Sequence, residues 1–191
     1  MSDIDEIRKI ITLFEGFCDE SADRDILALY LRGSYPRGDW IFGLSDLDFY
    51  LIVKDRLVCK NSLKVGFDTW LDSFLTRIRA ANPEFRISFK YDGRTKVLGD
   101  ECKSYITSLD SRLLFGECIL GDIREPNEDE MKDYGKKMTI YLCDYLTRLR
   151  ELNRPQTLEE SVRTAQYMIL RIAQNALFAK GLLKFKKSEI T

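Results

Sequence analysis

Histidine is absent from this sequence of 191 residues. Its absence excludes Ser-His-Asp hydrolysis, histidine phosphotransfer and acid–base catalysis by imidazole. Cysteine is sparse, and the five cysteines stand singly with no CxxC pair, so they do not suggest a zinc site of the usual kind. We interpret them as thiols in a reducing cytosol. The chemistry left to the chain uses carboxylates, hydroxyls, thiols and cations.

An excess of charge of either sign is also missing, because 30 Lys and Arg residues face 31 Asp and Glu residues. A long nucleic acid or an acidic membrane surface is therefore not an expected partner. No apolar run approaches the ~20 residues that cross a bilayer, and the first residues are too charged for a signal peptide. These absences predict a cytoplasmic protein. The apolar content of 45% is enough to build a core.

Apolar periodicity predicts a mixture of strands and helices in the first part of the chain. Ile26 to Leu31, Asp46 to Val53 and Phe85 to Tyr91 are rich in strand-forming residues, and a fourth strand is predicted from Glu117 to Leu120. Helical spacing of apolar residues predicts one helix at the N-terminus and another between Asn61 and Ala81. A small sheet flanked by helices follows from this order of elements.

The later part of the chain has helical periodicity throughout. Asn127 with Glu130 resembles a capping box that opens one long helix, and Thr157 opens a second. The fold class is therefore predicted as α+β, in which a small mixed β-sheet flanked by helices is followed by a helical lobe. We place the first domain at residues 1–124 and the helical domain at residues 125–191.

A glycine–serine pair and two aspartates stand close together in the segment from residue 33 to residue 53. Gly33 and Ser34 follow the first predicted strand, where glycine permits close backbone approach and where N–H groups and a hydroxyl can hold phosphate oxygens. Asp46 and Asp48 are two apart on the next predicted strand, so their carboxylates project from one face. Residues 47, 49, 51 and 53 should then face the core.

Two carboxylates this close are costly on a half-buried sheet, because their charges repel and lose water. A divalent cation relieves that cost, and a set of oxygen ligands favours Mg²⁺ or Mn²⁺ bridging the protein to phosphates. Such a site suits in-line displacement at a phosphoryl group, and Arg37 could add charge to the same phosphates. Ordinary turns beside a strand start are the alternative explanation. The occurrence of all the pieces in this order favours the site.

The segment resembles the signature of the DNA polymerase beta-like nucleotidyltransferase superfamily. The resemblance implies a mixed sheet flanked by helices, two Mg²⁺ ions on the aspartates, and transfer of a nucleoside monophosphate from a nucleoside triphosphate with release of pyrophosphate. A compact lobe with trailing helices is similar to the antibiotic and minimal nucleotidyltransferases of that superfamily, by architecture alone. The matching residues are Gly33, Ser34, Arg37, Gly38, Asp46 and Asp48.

The superfamily pattern also includes a third carboxylate on a neighbouring strand, often as the general base for the acceptor hydroxyl. The predicted strand from Phe85 to Tyr91 instead carries Ser88 between two cations on its polar face. Glu84 and Asp92 bracket this strand, and we prefer Glu84 as the third catalytic residue. Solvated acids at the strand ends are an equal alternative. If neither acid reaches the metals, we expect slow turnover or nucleotide binding without transfer.

The predicted function is transfer of a nucleoside monophosphate, preferably AMP from ATP, onto a hydroxyl of a small molecule or a protein. The alternative is an antitoxin-like or catalytically weakened module that binds nucleotide and a protein partner. An RNA-directed transferase is disfavoured by the neutral charge balance. Because a helix pair alone can leave apolar surface uncovered, a homodimer is a further expectation.

Overall fold

A computed structural model describes residues 3–20, 25–59, 62–151 and 158–182 of the chain. The chain divides into two compact units, Met1–Arg124 and Glu125–Thr191. The described strands all lie in the first unit, and the described residues of the second unit are mainly helical. The architecture is α+β, with a small mixed sheet flanked by helices and a helical part after it, which confirms the predicted fold class.

The first unit alternates helices and strands along the chain. Its helices are α1 (Asp3–Asp19), α2 (Ser34–Arg37), α3 (Val65–Ala81), α4 (Arg94–Gly99) and α5 (Glu101–Leu109). Its strands are β1 (Ile26–Arg32), β2 (Leu47–Val53), β3 (Val58–Cys59), β4 (Ser62–Leu63), β5 (Ile87–Gly93) and β6 (Ser111–Gly116).

Within the described part of the chain, the main sheet has four strands in the order β5-β2-β1-β6. Strand β1 runs antiparallel to β2 and to β6, whereas β5 runs parallel to β2. Strands β3 and β4 pair separately as a small hairpin. These directions bring the end of β1 beside the starts of β2, β5 and β6. Four strand termini therefore meet at one end of the sheet.

Both faces of the sheet are covered. On one face, apolar residues of α1 and α3 pack on β1, β2 and β5. The β2 residues in this core are those at 47, 49, 51 and 53, which were predicted to face it. On the other face, Tyr50 and Ile52 of β2 pack with Val97 of α4 and with Ile119 and Leu120. Only the start of β2 is therefore left for polar side chains.

The centre of the larger core is a cluster of aromatic rings. Phe14 of α1 is fully buried, and its ring stacks on Phe49 of β2 with the centroids 3.7 Å apart. Phe74 of α3 meets the same ring edge-on at 5.0 Å. Edge contacts of this kind stabilise a core beyond the area that they bury. The cluster fixes α1, α3 and β2 against each other, and through β2 it fixes the position of Asp48.

The structure corrects the predicted fourth strand. Residues Ile119–Asp122 form a 3-10 turn, and the strand is β6, which ends at Gly116. Gly116 has φ +83°, which departs from the extended backbone of the strand, and a Cβ there would meet the carbonyl oxygen of Leu27 on β1, so this position requires glycine. Likewise, β2 begins at Leu47, so Asp46 stands just before the strand.

The second unit consists of α6 (Glu128–Glu151) and α7 (Leu158–Phe178) in the described residues. The predicted capping box is confirmed, because the Asn127 N–H donates to Glu130 Oε2 at 2.8 Å and the Glu130 N–H donates to Asn127 Oδ1 at 3.0 Å. Thr157 lies outside the described residues. None of the described helices has the length and apolar character required to cross a bilayer.

Candidate active site

Side chains from the four strands form one row at the open end of the main sheet. Arg32, the last residue of β1, pairs with Asp48 of β2 on one side and with Ser111 of β6 on the other. Asp48 pairs in turn with Ser88 of β5. Directly opposed residues on neighbouring strands project from the same face. One cation, one carboxylate and two hydroxyls therefore lie side by side.

Gly33 makes the turn that leaves this row. Its backbone has φ 82° and ψ −141°, a conformation that side chains rarely adopt, and its N–H donates to the carbonyl oxygen of Asp110 at 2.9 Å. A Cβ on Gly33 would lie 2.8 Å from Oδ2 of Asp48. The conformation and the close approach both require glycine here. The glycine backbone therefore lies directly against the Asp48 carboxylate.

Ser34 follows as the first residue of the four-residue helix α2 and is buried. Its carbonyl oxygen accepts a hydrogen bond of 3.0 Å from the N–H of Asp39. The helix ends at Gly38, which has the left-handed conformation (φ 79°, ψ 15°) typical of a helix C-terminus. The pair Gly33 and Ser34 is thus held in a compact turn beside the start of β2.

The two predicted metal ligands differ in their surroundings. Asp48 is half-buried, and its carboxylate has no hydrogen bond or ion pair with any residue in the described ranges. Asp46 is exposed, two residues earlier in the chain. A half-buried carboxylate without a protein partner carries a desolvation cost that a bound cation would offset. Asp48 is the stronger candidate ligand of the two.

The loop from Gly38 to Asp46 is fastened to the sheet by aromatic rings. Trp40 stacks against Phe85, two residues before β5, with the centroids 6.3 Å apart, and Phe42 meets the same ring edge-on at 5.5 Å. The indole N–H of Trp40 is buried and has no hydrogen-bond acceptor among the described residues. The aromatic contacts hold the loop that leads into Asp46.

Arg37, predicted to contact phosphate, lies between two carboxylates. Its Nη1 donates to Oδ2 of Asp110 at 2.8 Å, and its Nη2 lies 3.4 Å from Oδ1 of Asp39. The Arg37 side chain is only 15% exposed. Its buried Nε has no acceptor within the residues described. The two carboxylates offset the positive charge of Arg37 and fasten α2 to the start of β6.

The two candidates for the third carboxylate lie in different places. Asp92 pairs with Ile52, four residues further along the parallel strands than the pair of Asp48 and Ser88, which is roughly 13 Å along the sheet. Its carboxylate accepts a hydrogen bond of 2.9 Å from Tyr50 and forms an ion pair with Lys96. Asp92 is therefore held away from the row.

Glu84 stays a predicted catalytic residue. It lies exposed in the turn between α3 and β5, outside the strand. The position that directly faces Asp48 on β5 is occupied by Ser88. The sequence analysis placed Ser88 on the polar face of this strand, and the strand register puts it opposite Asp48.

Two oxygen donors suit one hard cation better than a pair of cations. Within the described ranges, no group of three or more Asp, Glu, Cys or His side chains is arranged to hold a metal ion. Mg²⁺ is commonly bound by one or two carboxylates and completed by water and substrate phosphates. Asp48, with no protein partner, and the nearby Asp46 fit that donor set. They do not by themselves fit the two-ion site implied by the superfamily resemblance.

Arg32 is a candidate residue that our sequence reasoning did not single out. It is half-buried, it stands directly opposite Asp48, and its guanidinium carbon lies 5.5 Å from the centroid of the Tyr50 ring. Burial, together with the neighbouring Asp92 carboxylate, raises the pKa of Tyr50 well above its usual range, so Tyr50 stays a hydrogen-bond donor. The sequence feature that could have identified Arg32 is its position directly before Gly33, at the end of a predicted strand.

A pocket of about 380 Å³ is lined in part by residues of α2 and by the start of β6. Leu31, Arg37 and Asp110 contribute to its walls, together with Arg112 at the start of β6. Leu31 and Arg112 are paired across the strands, so they project from the face opposite to that of Asp48. Ser111, which belongs to the row, also lines this pocket, so the pocket adjoins the row at the start of β6.

Comparisons with known proteins add little to this geometry. No protein-family model and no curated protein sequence matches the chain. A crystal structure described as a toxin-antitoxin with AMP-PNP matches 80% of this chain and 97% of its own at 13% identity, with a TM-score of 0.33. A TM-score this low carries no argument about the fold or the function of the chain.

Proposed function

We propose that this chain is a Mg²⁺-dependent nucleotidyltransferase that transfers AMP from ATP onto a hydroxyl of a small molecule or a protein. One observation carries the proposal, namely the half-buried carboxylate of Asp48, without a protein partner, against the backbone of Gly33. A close backbone turn beside an uncompensated carboxylate is what binding of a metal–phosphate group requires. The residues predicted for nucleotide binding are Gly33, Ser34 and Arg37.

Asp46 and Asp48 would hold the cation. When bound, Mg²⁺ supplies positive charge that binds the triphosphate and favours ionisation of the acceptor hydroxyl. Gly33 provides the space in which a phosphate oxygen can approach the backbone, since any side chain there would occupy it. The aromatic contacts of Trp40 and Phe42 with Phe85 hold the loop before Asp46, so that both carboxylates stay at the end of the sheet.

The transfer itself exchanges one phosphorus–oxygen bond for another. The acceptor hydroxyl oxygen forms a bond to the α-phosphorus, and the bond from that phosphorus to the oxygen bridging to the β-phosphate breaks. Pyrophosphate leaves with the electron pair, and the hydroxyl proton passes to a base. Glu84 is the predicted base. Transfer of AMP, rather than of the γ-phosphate, is the distinguishing feature of the proposal.

A second function is favoured by one specific observation. The residue that faces Asp48 on β5 is Ser88, which is not a proton acceptor at neutral pH. A chain without a base in this position would bind Mg²⁺ and ATP yet transfer nothing. In that case the nucleotide would serve a module that binds a protein partner.

Label transfer separates the two functions. The full chain is incubated with Mg²⁺ or Mn²⁺ and ATP labelled in the α- or the γ-phosphate, together with aminoglycosides, transfer RNA or cell-extract proteins. Nucleotidyl transfer predicts label on one acceptor class from α-labelled ATP only, and none with the double variant Asp46→Asn, Asp48→Asn. Asp72→Asn, which removes an exposed acid of α3, is the matched control.

Metal-dependent ATP binding without transfer of label would favour the interaction module. Transfer of the γ-label, or equal transfer by the double variant, would contradict the nucleotidyltransferase proposal.

A further inference from the structure

Arg32 and Asp48 are directly opposed across β1 and β2, yet they form no ion pair. Opposed residues of this kind have Cβ atoms about 4.5–5.5 Å apart, a distance that an arginine and an aspartate bridge easily. The two side chains turn away from each other instead. Oδ2 of Asp48 lies against Gly33, and the Arg32 guanidinium lies over the ring of Tyr50.

The position of the Arg32 guanidinium is set by contacts on the same face. Tyr50 is buried beneath it, and the Tyr50 hydroxyl donates a hydrogen bond of 2.9 Å to Asp92. Asp92 is held in turn by Lys96 and by Lys103, the latter at 3.7 Å. A cation over a fixed aromatic face keeps its N–H groups free at the edges of its plane. Arg32 has no hydrogen-bond acceptor among the described residues, so its guanidinium donors remain available to a ligand.

The charges around the row leave a place for an anion. One Mg²⁺ would offset Asp46 and Asp48, and Asp39 and Asp110 already offset Arg37. The several negative charges of a triphosphate would still need cations. Arg32 has no carboxylate partner among the described residues. Its planar guanidinium also suits two oxygens of one phosphate.

We propose that Arg32 is a phosphate-binding residue that donates hydrogen bonds to the triphosphate of the nucleotide. The proposal rests on the proposed function, because it assigns a role at the same site. Arg37 stays a predicted phosphate contact, but its charge is already paired with Asp39 and Asp110, whereas the charge of Arg32 has no such partner among the described residues. Arg32 therefore contributes to nucleotide affinity, whereas the dependence of binding on Mg²⁺ belongs to the aspartates.

The test is calorimetric titration of the full chain with MgATP and with magnesium tripolyphosphate, which has the phosphates but no base. Arg32→Gln should weaken the affinity for both ligands by a similar factor, about 10- to 100-fold, because it removes charge-assisted hydrogen bonds. Arg32→Lys keeps the charge without the planar fork and should lose about 3- to 10-fold. Arg112→Gln should bind as the wild type does, since Arg112 is exposed on the opposite face of the sheet.

The outcomes are distinct. Unchanged affinity of Arg32→Gln in a folded protein would overturn the assignment of Arg32 and leave the proposed function standing. Loss of affinity for MgATP alone, with tripolyphosphate unaffected, would also overturn it, because the contact would then be to the base. A wild-type chain that binds neither ligand would overturn the proposed function itself. If Arg32→Gln fails to fold, Arg32→Lys is used in its place. An unchanged affinity of Arg32→Lys for both MgATP and magnesium tripolyphosphate would then overturn the assignment of Arg32.

Discussion

Oδ2 of Asp48 lies 2.8 Å from the position that a Cβ on Gly33 would occupy. Gly33 is in turn tied to the start of β6 by the hydrogen bond from its N–H to the carbonyl oxygen of Asp110. Three strands therefore determine where the Asp48 carboxylate stands relative to the turn. The packing of the first unit and the geometry of the candidate site depend on each other at this point.

Replacing Gly33 by alanine tests this relationship. A side chain at φ 82° and ψ −141° is strained, by about 1–3 kcal/mol, and the added Cβ would push the Asp48 carboxylate aside. We expect a lower free energy of unfolding together with Mg²⁺-dependent ATP binding weakened by at least about 10-fold. Urea unfolding and calorimetric titration measure the two effects.

Gly43→Ala is the matched control, because Gly43 also has a positive φ but has no heavy atom near its Cβ position. It should cost about 1 kcal/mol of stability and leave ATP binding unchanged. If Gly33→Ala lost no more binding than Gly43→Ala does, the close approach to Asp48 would have no functional importance.

Asp25 predicts a dependence of stability on pH. Hydrogen bonds from Arg56, with the larger effect, and from Lys54 lower the pKa of this buried carboxyl from its usual value of 3.8 to about 2. A group with a lowered pKa stabilises the fold fully above its usual pKa, and this contribution is lost as the pH falls from about 4 towards about 2. Asp25→Asn should therefore be less stable than the wild type at pH 6, and the difference should shrink in that window.

Unfolding by urea at a series of pH values measures this effect. Asparagine tolerates the left-handed backbone of Asp25 (φ 69°), so the variant isolates the charge. A difference between the two proteins that stays constant, or that grows as the pH falls, would show that the ion pairs of Asp25 do not contribute as described.

Phe14→Ala tests the aromatic core that positions β2. The ring is fully buried between Phe49 and Phe74, so its removal should lower the free energy of unfolding by about 3–5 kcal/mol. The neighbouring Leu13 is 47% exposed, and Leu13→Ala should change stability by no more than about 0.5 kcal/mol. Equal effects at the two positions in urea unfolding would contradict the packing of α1.

Much of the fold follows from local sequence patterns. The alternation in Phe85 to Tyr91 predicted a strand with one apolar face, and the structure has Phe85, Ile87, Phe89 and Tyr91 in or against one core. The capping box at Asn127 and Glu130 is likewise a local signal, since both of its hydrogen bonds span three residues. Such features need no knowledge of distant parts of the chain.

Elements that depend on distant contacts were not predictable in the same way. The short helices α4 and α5 lack a long apolar stripe, and α4 reaches the core mainly through Val97. Strand β6 is defined by pairing with β1, more than 70 residues earlier in the sequence. The sequence analysis predicted none of these three elements, because each is too short for its periodic pattern to be distinguished from its surroundings.

The residues of the candidate site also fall into two groups, those predicted from a local segment and those placed by distant contacts. Gly33, Ser34, Asp46 and Asp48 lie within one short segment, so their spacing was informative. The neighbours Arg32, Ser88 and Asp110 are brought in by strand register and by one backbone hydrogen bond. Pairing across strands decides which of these side chains face the carboxylates, and no single segment encodes it.

The most direct test of the account is calorimetric titration of ATP into the wild type and Asp48→Asn, each with and without Mg²⁺. Asp72→Asn serves as the control because it removes an exposed acid of α3. The account predicts Mg²⁺-dependent binding by the wild type and the control, and its loss in a folded Asp48→Asn. Equal Mg²⁺-dependent affinity in Asp48→Asn, or no ATP binding by the wild type, would contradict the account.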